Sequence, residues 1–280
     1  MRAPTHESHT NRRTGIRGDY RVYTFDDFTS FLAELQPDPD LSSHHVYSGS
    51  DPWAGTATYR EALDLARKGW PEGMAQVRPI VDRVLQDALR WAQQPEDGPS
   101  IEGDYFDPGL VAQGIPECCY APDEESQRLA YLPSIKLALN VSMSSAVSAE
   151  TIRKRGAAFL ALVQTLEALG IKNELWLTET ACGHEVRILV KGMGDLLQWD
   201  KAAYLFMHPS VLRRLVFAAQ ETMGEPEAAS GTYGRPEDSF IDADFVLQGN
   251  EAALLNNTPI EDLDRWVLAH IERFIKGDMK

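Results

Sequence analysis

The stretch Ile135-Lys136-Leu137-Ala138-Leu139-Asn140-Val141-Ser142-Met143-Ser144 decides the fold. Ile135, Leu137, Leu139 and Val141 alternate with Lys136, Ala138, Asn140 and Ser142, the period-two pattern of a strand, and Ala138 lets both faces be covered. Small polar groups gather at its end. Ser148 then caps a helix that runs to Leu169, with Ile152, Phe159, Leu160, Val163 and Leu166 on its buried side and Gly170 as its stop. A strand, a polar turn and a helix in that order make a place where α/β proteins put their sites.

Working toward the C-terminus, Glu174–Thr180 and Glu185–Lys191 read as strands joined by the turn Ala181–His184. So short a connection joins only antiparallel neighbours, which predicts a β-α-β unit followed by an antiparallel edge strand. Residues 199–207 and 210–220 read as helices divided at Pro209. Phe245-Val246-Leu247 reads as a short buried strand that stops at Gln248-Gly249. Thr258-Pro259-Ile260-Glu261 is a capping box for a last helix carrying Leu263, Trp266, Val267, His270, Ile271, Phe274 and Ile275.

Toward the N-terminus, residues 94–104 read as a linker by composition, and residues 22–93 as a helical region. Asp26 and Asp27 start a one-sided helix with Phe28, Phe31, Leu32 and Leu35. Thr58-Tyr59-Arg60-Glu61 is a capping box for a helix stopped by Gly69. Pro71 opens a longer helix whose apolar stripe runs from Met74 to Ala88, with Pro79 inside it. Residues 1–21 hold Arg2, Arg12, Arg13, Arg17 and Arg21 against Glu7 and Asp19 and read as a disordered basic arm. The 280-residue chain has a formal net charge of -15, so the body is acidic, which disfavours non-specific binding to nucleic-acid backbones. Three cysteines, two of them adjacent, make a poor disulfide framework and fit a reducing compartment. No segment reaches the length of a membrane span and the N-terminus has no apolar run, so a cytoplasmic protein without a membrane partner is expected.

The order strand, helix, strand, tight turn, antiparallel strand, helix, strand, helix resembles the von Willebrand factor A fold. That resemblance implies a three-layer, Rossmann-like α/β core over residues 105–280. It also implies a metal-ion-dependent adhesion site of Asp-x-Ser-x-Ser type, which falls here on Asn140, Ser142 and Ser144, with Gln248-Gly249 where a later strand carries Asp-Gly and Thr232 as a middle-loop counterpart. The chain is also similar to uncharacterised proteins of bacteriophages and other mobile elements. The similar pieces are residues 53–73, 114–117 and 140–156 and His208-Pro-Ser-Val-Leu-Arg-Arg214.

A hard cation needs oxygen ligands, usually with carboxylate among them. Asn140, Ser142, Ser144 and Gln248 offer neutral oxygens, and Asp195 and Asp200 are the acids nearest in the reading that could complete a site. No cofactor is expected, Mg2+ being the ion such a site would take, and the site reads as degenerate. Cys118, Cys119, Cys182 and His184 lack a C-x2-C pair, and His44-His45 reads as loop polarity. No nucleophile elbow, phosphate-binding loop or deaminase pattern is present. Trp53 and Trp70 flank one helix in Gly- and Pro-containing contexts and are the candidate contact residues for a protein partner, with core packing as their other reading. The leading expectation is a non-catalytic protein-binding or assembly protein of a phage or mobile element, in the host cytoplasm or carried in a virion. The alternatives are a metal-assisted hydrolase acting at the strand end, and a nucleic-acid accessory factor using the N-terminal arginines.

Overall fold

A computed structural model describes residues 4–10, 17–35, 51–93, 101, 105–120, 134–181, 183–223, 237–249 and 262–276. The elements in chain order are β1 (Thr5–Thr10), β2 (Arg17–Phe25), α1 (Phe28–Glu34), α2 (Asp51–Ala54), α3 (Tyr59–Lys68), α4 (Pro71–Gln93), β3 (Tyr105–Phe106), α5 (Pro108–Ala112) and β4 (Cys119–Tyr120). They continue with β5 (Ile135–Asn140), α6 (Ala149–Ala168), β6 (Asn173–Ala181), β7 (His184–Lys191), α7 (Trp199–Met207), a π-helical turn (Val211–Val216), α8 (Phe217–Met223), β8 (Phe245–Leu247) and α9 (Leu263–Lys276).

Six strands form one mixed sheet in the order β1-β2-β7-β6-β5-β8. The central strand β5 lies parallel to β6 on one side and to β8 on the other, and β6 and β7 form the expected antiparallel hairpin. Gly183 takes a φ of 77° in the connecting turn, a conformation glycine adopts without steric cost. The run β7-β6-β5-β8 is the part that the strand order of the sequence anticipates.

Three expectations are corrected. First, β7 is not an edge strand: its far side pairs in parallel with β2, from Arg21 opposite His184 to Phe25 opposite Ile188. Second, residues 5–10 and 17–21 are not disordered but stand in the antiparallel pair β1–β2. The arginines there suggest a solvated arm, yet Tyr23 and Phe25 are buried among the core residues, while Tyr20 and Val22 are buried on the opposite face. Third, among the described residues the helices of the core lie on one face of the sheet rather than both. Tyr23, Phe25, Leu137, Leu139, Leu175, Leu177, Val186, Ile188 and Leu247 alternate onto a single face and join the helices in one hydrophobic core. The other face carries Lys136, Glu174, Trp176 and Arg187, with Lys136 5.0 Å from the Trp176 ring.

Local chemistry places the helices. Asp27 caps α1 in a reciprocal box with Ser30, and Thr58 caps α3 by accepting from Glu61 N–H. Glu61 Oε2 in turn takes the N–H of Ala57, one residue before the cap. α4 continues through Pro79, which sits on its exposed side, so the backbone group that proline leaves without its helical partner is turned away from the core. The helical region and the sheet share one core, since Val77, Ile80 and Val84 of α4 belong to the same cluster as α6 and β5.

Gly156 is where α6 and α7 meet most closely. A Cβ built there would stand 2.1 Å from Phe206 O and 2.7 Å from Met207 Cα, which are backbone atoms that cannot swing aside. Gly156→Ala is therefore expected to cost about 3 kcal/mol. Chemical denaturation of the variant measures this, and an unchanged stability would show that α6 and α7 do not approach as described.

Candidate functional site

The strand-end groups form a closed polar network. Arg155 of α6, fully buried, donates to Asn140 O at 2.8 Å and to Leu247 O at 2.6 Å, closing the last carbonyls of β5 and β8. The Asn140 carboxamide donates through Nδ2 to Glu237 O at 2.8 Å and to Gln248 Oε1 at 3.1 Å, while Oδ1 accepts from Ser142 N–H at 3.0 Å. Gln248 completes the ring: Oε1 accepts from Ser239 N–H and Nε2 donates to Ser239 O. Asn140 and Gln248 are thus working amides. An acid at position 140 has no proton to give to Glu237 O or Gln248 Oε1 when ionised.

Two buried glutamates flank this ring. Glu185 of β7 accepts from Thr180 Oγ1 at 3.1 Å, Phe240 N–H at 3.2 Å and Ser239 Oγ, and pairs with Arg187 Nε at 2.7 Å. Its Oε1 takes the first three of these bonds and its Oε2 the fourth. Arg187 then reaches Glu7 of β1 with both terminal nitrogens, at 3.2 and 3.1 Å. Glu179 of β6 points to the helix face. Ser142 Oγ receives Thr180 N–H at 3.1 Å and lies 2.6 Å from Thr180 O and 3.0 Å from Glu179 Oε1. Ser142 Oγ thus has Thr180 O and Glu179 Oε1 as the two acceptors for its one proton. Gln220 of α8 approaches this carboxyl outside hydrogen-bond geometry, leaving Glu179 Oε2 and Gln220 Nε2 buried without a bond. Burial, with the charges of Glu185 and Glu237 adding to it, pushes Glu179 from an ordinary 4.5 to about 7 against the pull of Gln220 and Ser142.

Tyr20 roofs the network by donating to Glu237 Oε2 at 2.7 Å, and burial first, then this bond, pushes its hydroxyl up to about 12. His9 of β1 stacks on Phe240 at 4.6 Å. The hairpin β1–β2 and residues 237–241 therefore cover the strand end.

The remaining sequence candidates do not converge there. Ser144 is half-buried and closes a turn, accepting from Ala146 N–H at 3.3 Å. Asp195 lies beyond the far end of the sheet. Lys191 pairs with Leu175, three residues before the Thr178 that pairs with Asn140, which is a displacement of about 10 Å at 3.3 Å per residue. Asp195 follows still farther on, held by Gly192 N–H at 3.1 Å. Asp200, at the start of α7, accepts Trp70 N–H on its backbone carbonyl at 2.8 Å. Among the described residues no group of three or more His, Cys, Asp or Glu could hold a metal ion. Cys118 and Cys119 belong to the separate β3–β4 pair, away from His184 on β7. His44, His45, Cys182, Thr232 and the capping box at 258–261 lie outside the described residues.

Trp53 and Trp70 are half-buried and fasten a seam. Trp53 Nε1 donates to Ser145 O at 2.9 Å, and the Arg213 guanidinium lies 4.4 Å over its ring. Arg213 also donates to Trp53 O and Val147 O, and Arg214 to Thr56 O at 3.0 Å. Both arginines come from the π-helical turn and are buried; desolvation lowers Arg213 to about 10. Trp70 meets His208 edge-on at 4.9 Å. Burial, with Arg153 nearby, lowers His208 to about 4, and its Nδ1 is bonded to Ser210 Oγ at 2.8 Å.

The profile of a domain of unknown function, DUF7192, matches residues 7–269. The chain belongs to the DUF7192 family. No curated protein and no solved structure matches it. The DUF7192 match spans β1 to α9, and so takes in the N-terminal hairpin together with the strand-end ring it covers. No described helix of this DUF7192 protein is long and apolar enough to cross a membrane.

Sequence reading misses Glu179, Glu185, Arg155 and Ser239. An acid in an alternating strand looks solvent-facing, and nothing in local spacing shows that α8 or residues 237–241 close over it. The pair yields a test. Between about 4.5 and 7 the folded state holds a proton on Glu179 that the unfolded chain has released, so stability falls as pH rises through that window and the loss is complete above it. The size is on the order of 3 kcal/mol. Glu179→Gln should flatten that slope in denaturant unfolding across pH, with its largest gain over the wild type on the alkaline side. An unchanged slope would contradict a neutral Glu179.

Proposed function

We propose that this DUF7192 protein is a non-catalytic protein-binding or assembly protein of a phage or mobile element, in which the strand-end position serves as an internal lock. The observation that carries this reading is the use of Asn140, Ser142 and Gln248 as partners for one another and for Glu237, Ser239 and Thr180. Oxygens committed in this way are not free for an ion, and Asp195, one of the acids that a metal-assisted hydrolase needs, is held by Gly192 N–H past the opposite end of β7. The resemblance to mobile-element proteins supports the origin. The nucleic-acid reading has less behind it, because Arg17 and Arg21 stand in β2 while Arg2, Arg12 and Arg13 lie outside the described residues.

The test is affinity capture of the tagged full-length chain from host cells, followed by mass determination of the complex in solution. A single partner in fixed stoichiometry is the expected result. A chain that stays alone and hydrolyses a chromogenic phosphate ester with Mg2+ or Mn2+, losing that activity in Ser142→Ala, would replace this reading with the hydrolase one.

A further inference from the structure

Cys118 and Cys119 are adjacent free thiols, both half-buried, in the unit β3–α5–β4. None of residues 105–120 belongs to the hydrophobic cluster that joins the sheet and the larger helices, so a change here stays local. Neighbours within a strand point to opposite faces. Cys118 is outside that rule: it precedes β4, and its N–H closes a turn on Pro116 O at 3.0 Å. The two thiols act on each other. Burial first, then the hydrogen bond and charge of Cys118, push the Cys119 thiol above its ordinary value. A thiol that keeps its proton is a slow nucleophile by itself. What this pair adds is a second sulfur always within reach, so a sulfur that becomes oxidised meets its partner in the same chain.

The peptide between the two cysteines also fastens the unit. Cys118 O accepts Asp107 N–H at 2.8 Å, and Cys119 pairs with Phe106. Asp107 Oδ1 in turn caps α5, accepting from Gly109 N–H at 2.6 Å and from Leu110 N–H at 3.2 Å. Cα atoms joined by a trans peptide are about 3.8 Å apart, closer than the roughly 4.4–6.8 Å usual for a disulfide. Closing a disulfide here therefore turns the Cys118–Cys119 peptide and takes its carbonyl away from Asp107 N–H. The same mismatch makes the bond easier to reduce than an ordinary disulfide.

We infer that Cys118 and Cys119 form a redox-switched dithiol, closed to a disulfide by hydrogen peroxide and reopened by small thiols, which loosens the cap of α5 while it is closed. One thiolate attacks the peroxide and becomes a sulfenic acid as water leaves, and the neighbouring thiol then displaces that oxygen as a second water. The protein loses two hydrogens and the peroxide is reduced to two waters. Two molecules of a small thiol reverse the step and leave as their own disulfide. The switch is independent of what the protein binds.

The test treats the reduced full-length chain with hydrogen peroxide and reads peptide masses and amide exchange. The peptide carrying Cys118 and Cys119 should lose two hydrogens, and reduced glutathione should restore them. Amides 107–110 should exchange about fivefold faster in the closed form. Cys118→Ser and Cys119→Ser should each show neither the mass loss nor the faster exchange, and an unchanged thermal midpoint of the reduced chain keeps loss of folding out of the comparison. A disulfide to Cys182 or to a second chain in place of the ring overturns the inference, as does oxidation of either sulfur to a sulfinic acid without ring closure. Ring closure that leaves exchange at residues 107–110 unchanged overturns it as well, because the dithiol would then switch nothing.

Discussion

The carboxamide of Asn140 is the group on which the rest of this structure depends. It is fully buried at the end of the central strand, so each of its polar atoms must find a partner inside the protein or carry an unpaid desolvation cost of about 1–3 kcal/mol. The partners come from distant parts of the chain: Ser142 on the following turn, Glu237 nearly a hundred residues later, and Gln248 at the end of β8. Arg155 reaches across from α6 to take the carbonyls of Asn140 and Leu247. The end of β5 is thereby tied to the strand and the helix beside it through directional bonds, where apolar burial alone would allow sliding.

From that point the polar contacts run across the sheet. Gln248 holds Ser239, Ser239 holds Glu185, Glu185 holds Arg187, and Arg187 holds Glu7 on the outermost strand. Tyr20 adds a second link from β2 to Glu237. The apolar face of the sheet stabilises the fold by burying Leu137, Leu139, Leu175 and Leu177 under the helices. The polar chain does something different, fixing where the N-terminal hairpin and residues 237–249 lie relative to the central strand. Glu179 marks the boundary between these two regions. It turns toward the helices, where burial raises its pKa, whereas Glu185 faces the other way and pairs with Arg187.

Local rules carried much of the architecture. The alternation of Ile135–Val141, the Ser148 cap and the tight turn after β6 are short-range signals, and each corresponds to an observed element. The β1–β2 pair was hidden because its partner strand lies more than 160 residues away and its sequence is polar on the outer strand. The buried acids were hidden because alternation tells which side of a strand a residue faces, not what covers that side. Asp195 is a different case. It follows a strand that runs antiparallel to β6, so the hairpin itself carries it to the end of the sheet opposite Asn140. The direction of β7 already contains that information.

The measurement that tests the account most directly is the stability of Asn140→Asp with and without divalent cations. A carboxylate at this position places an acceptor against Glu237 O and Gln248 Oε1, where a donor now stands. The account predicts a loss of about 2–4 kcal/mol near neutral pH. It also predicts that millimolar Mg2+ or Mn2+ will not restore the thermal midpoint. A variant that gains stoichiometric ion binding and regains wild-type stability in the presence of metal would contradict it, and would show that the strand end is an ion site awaiting its acid.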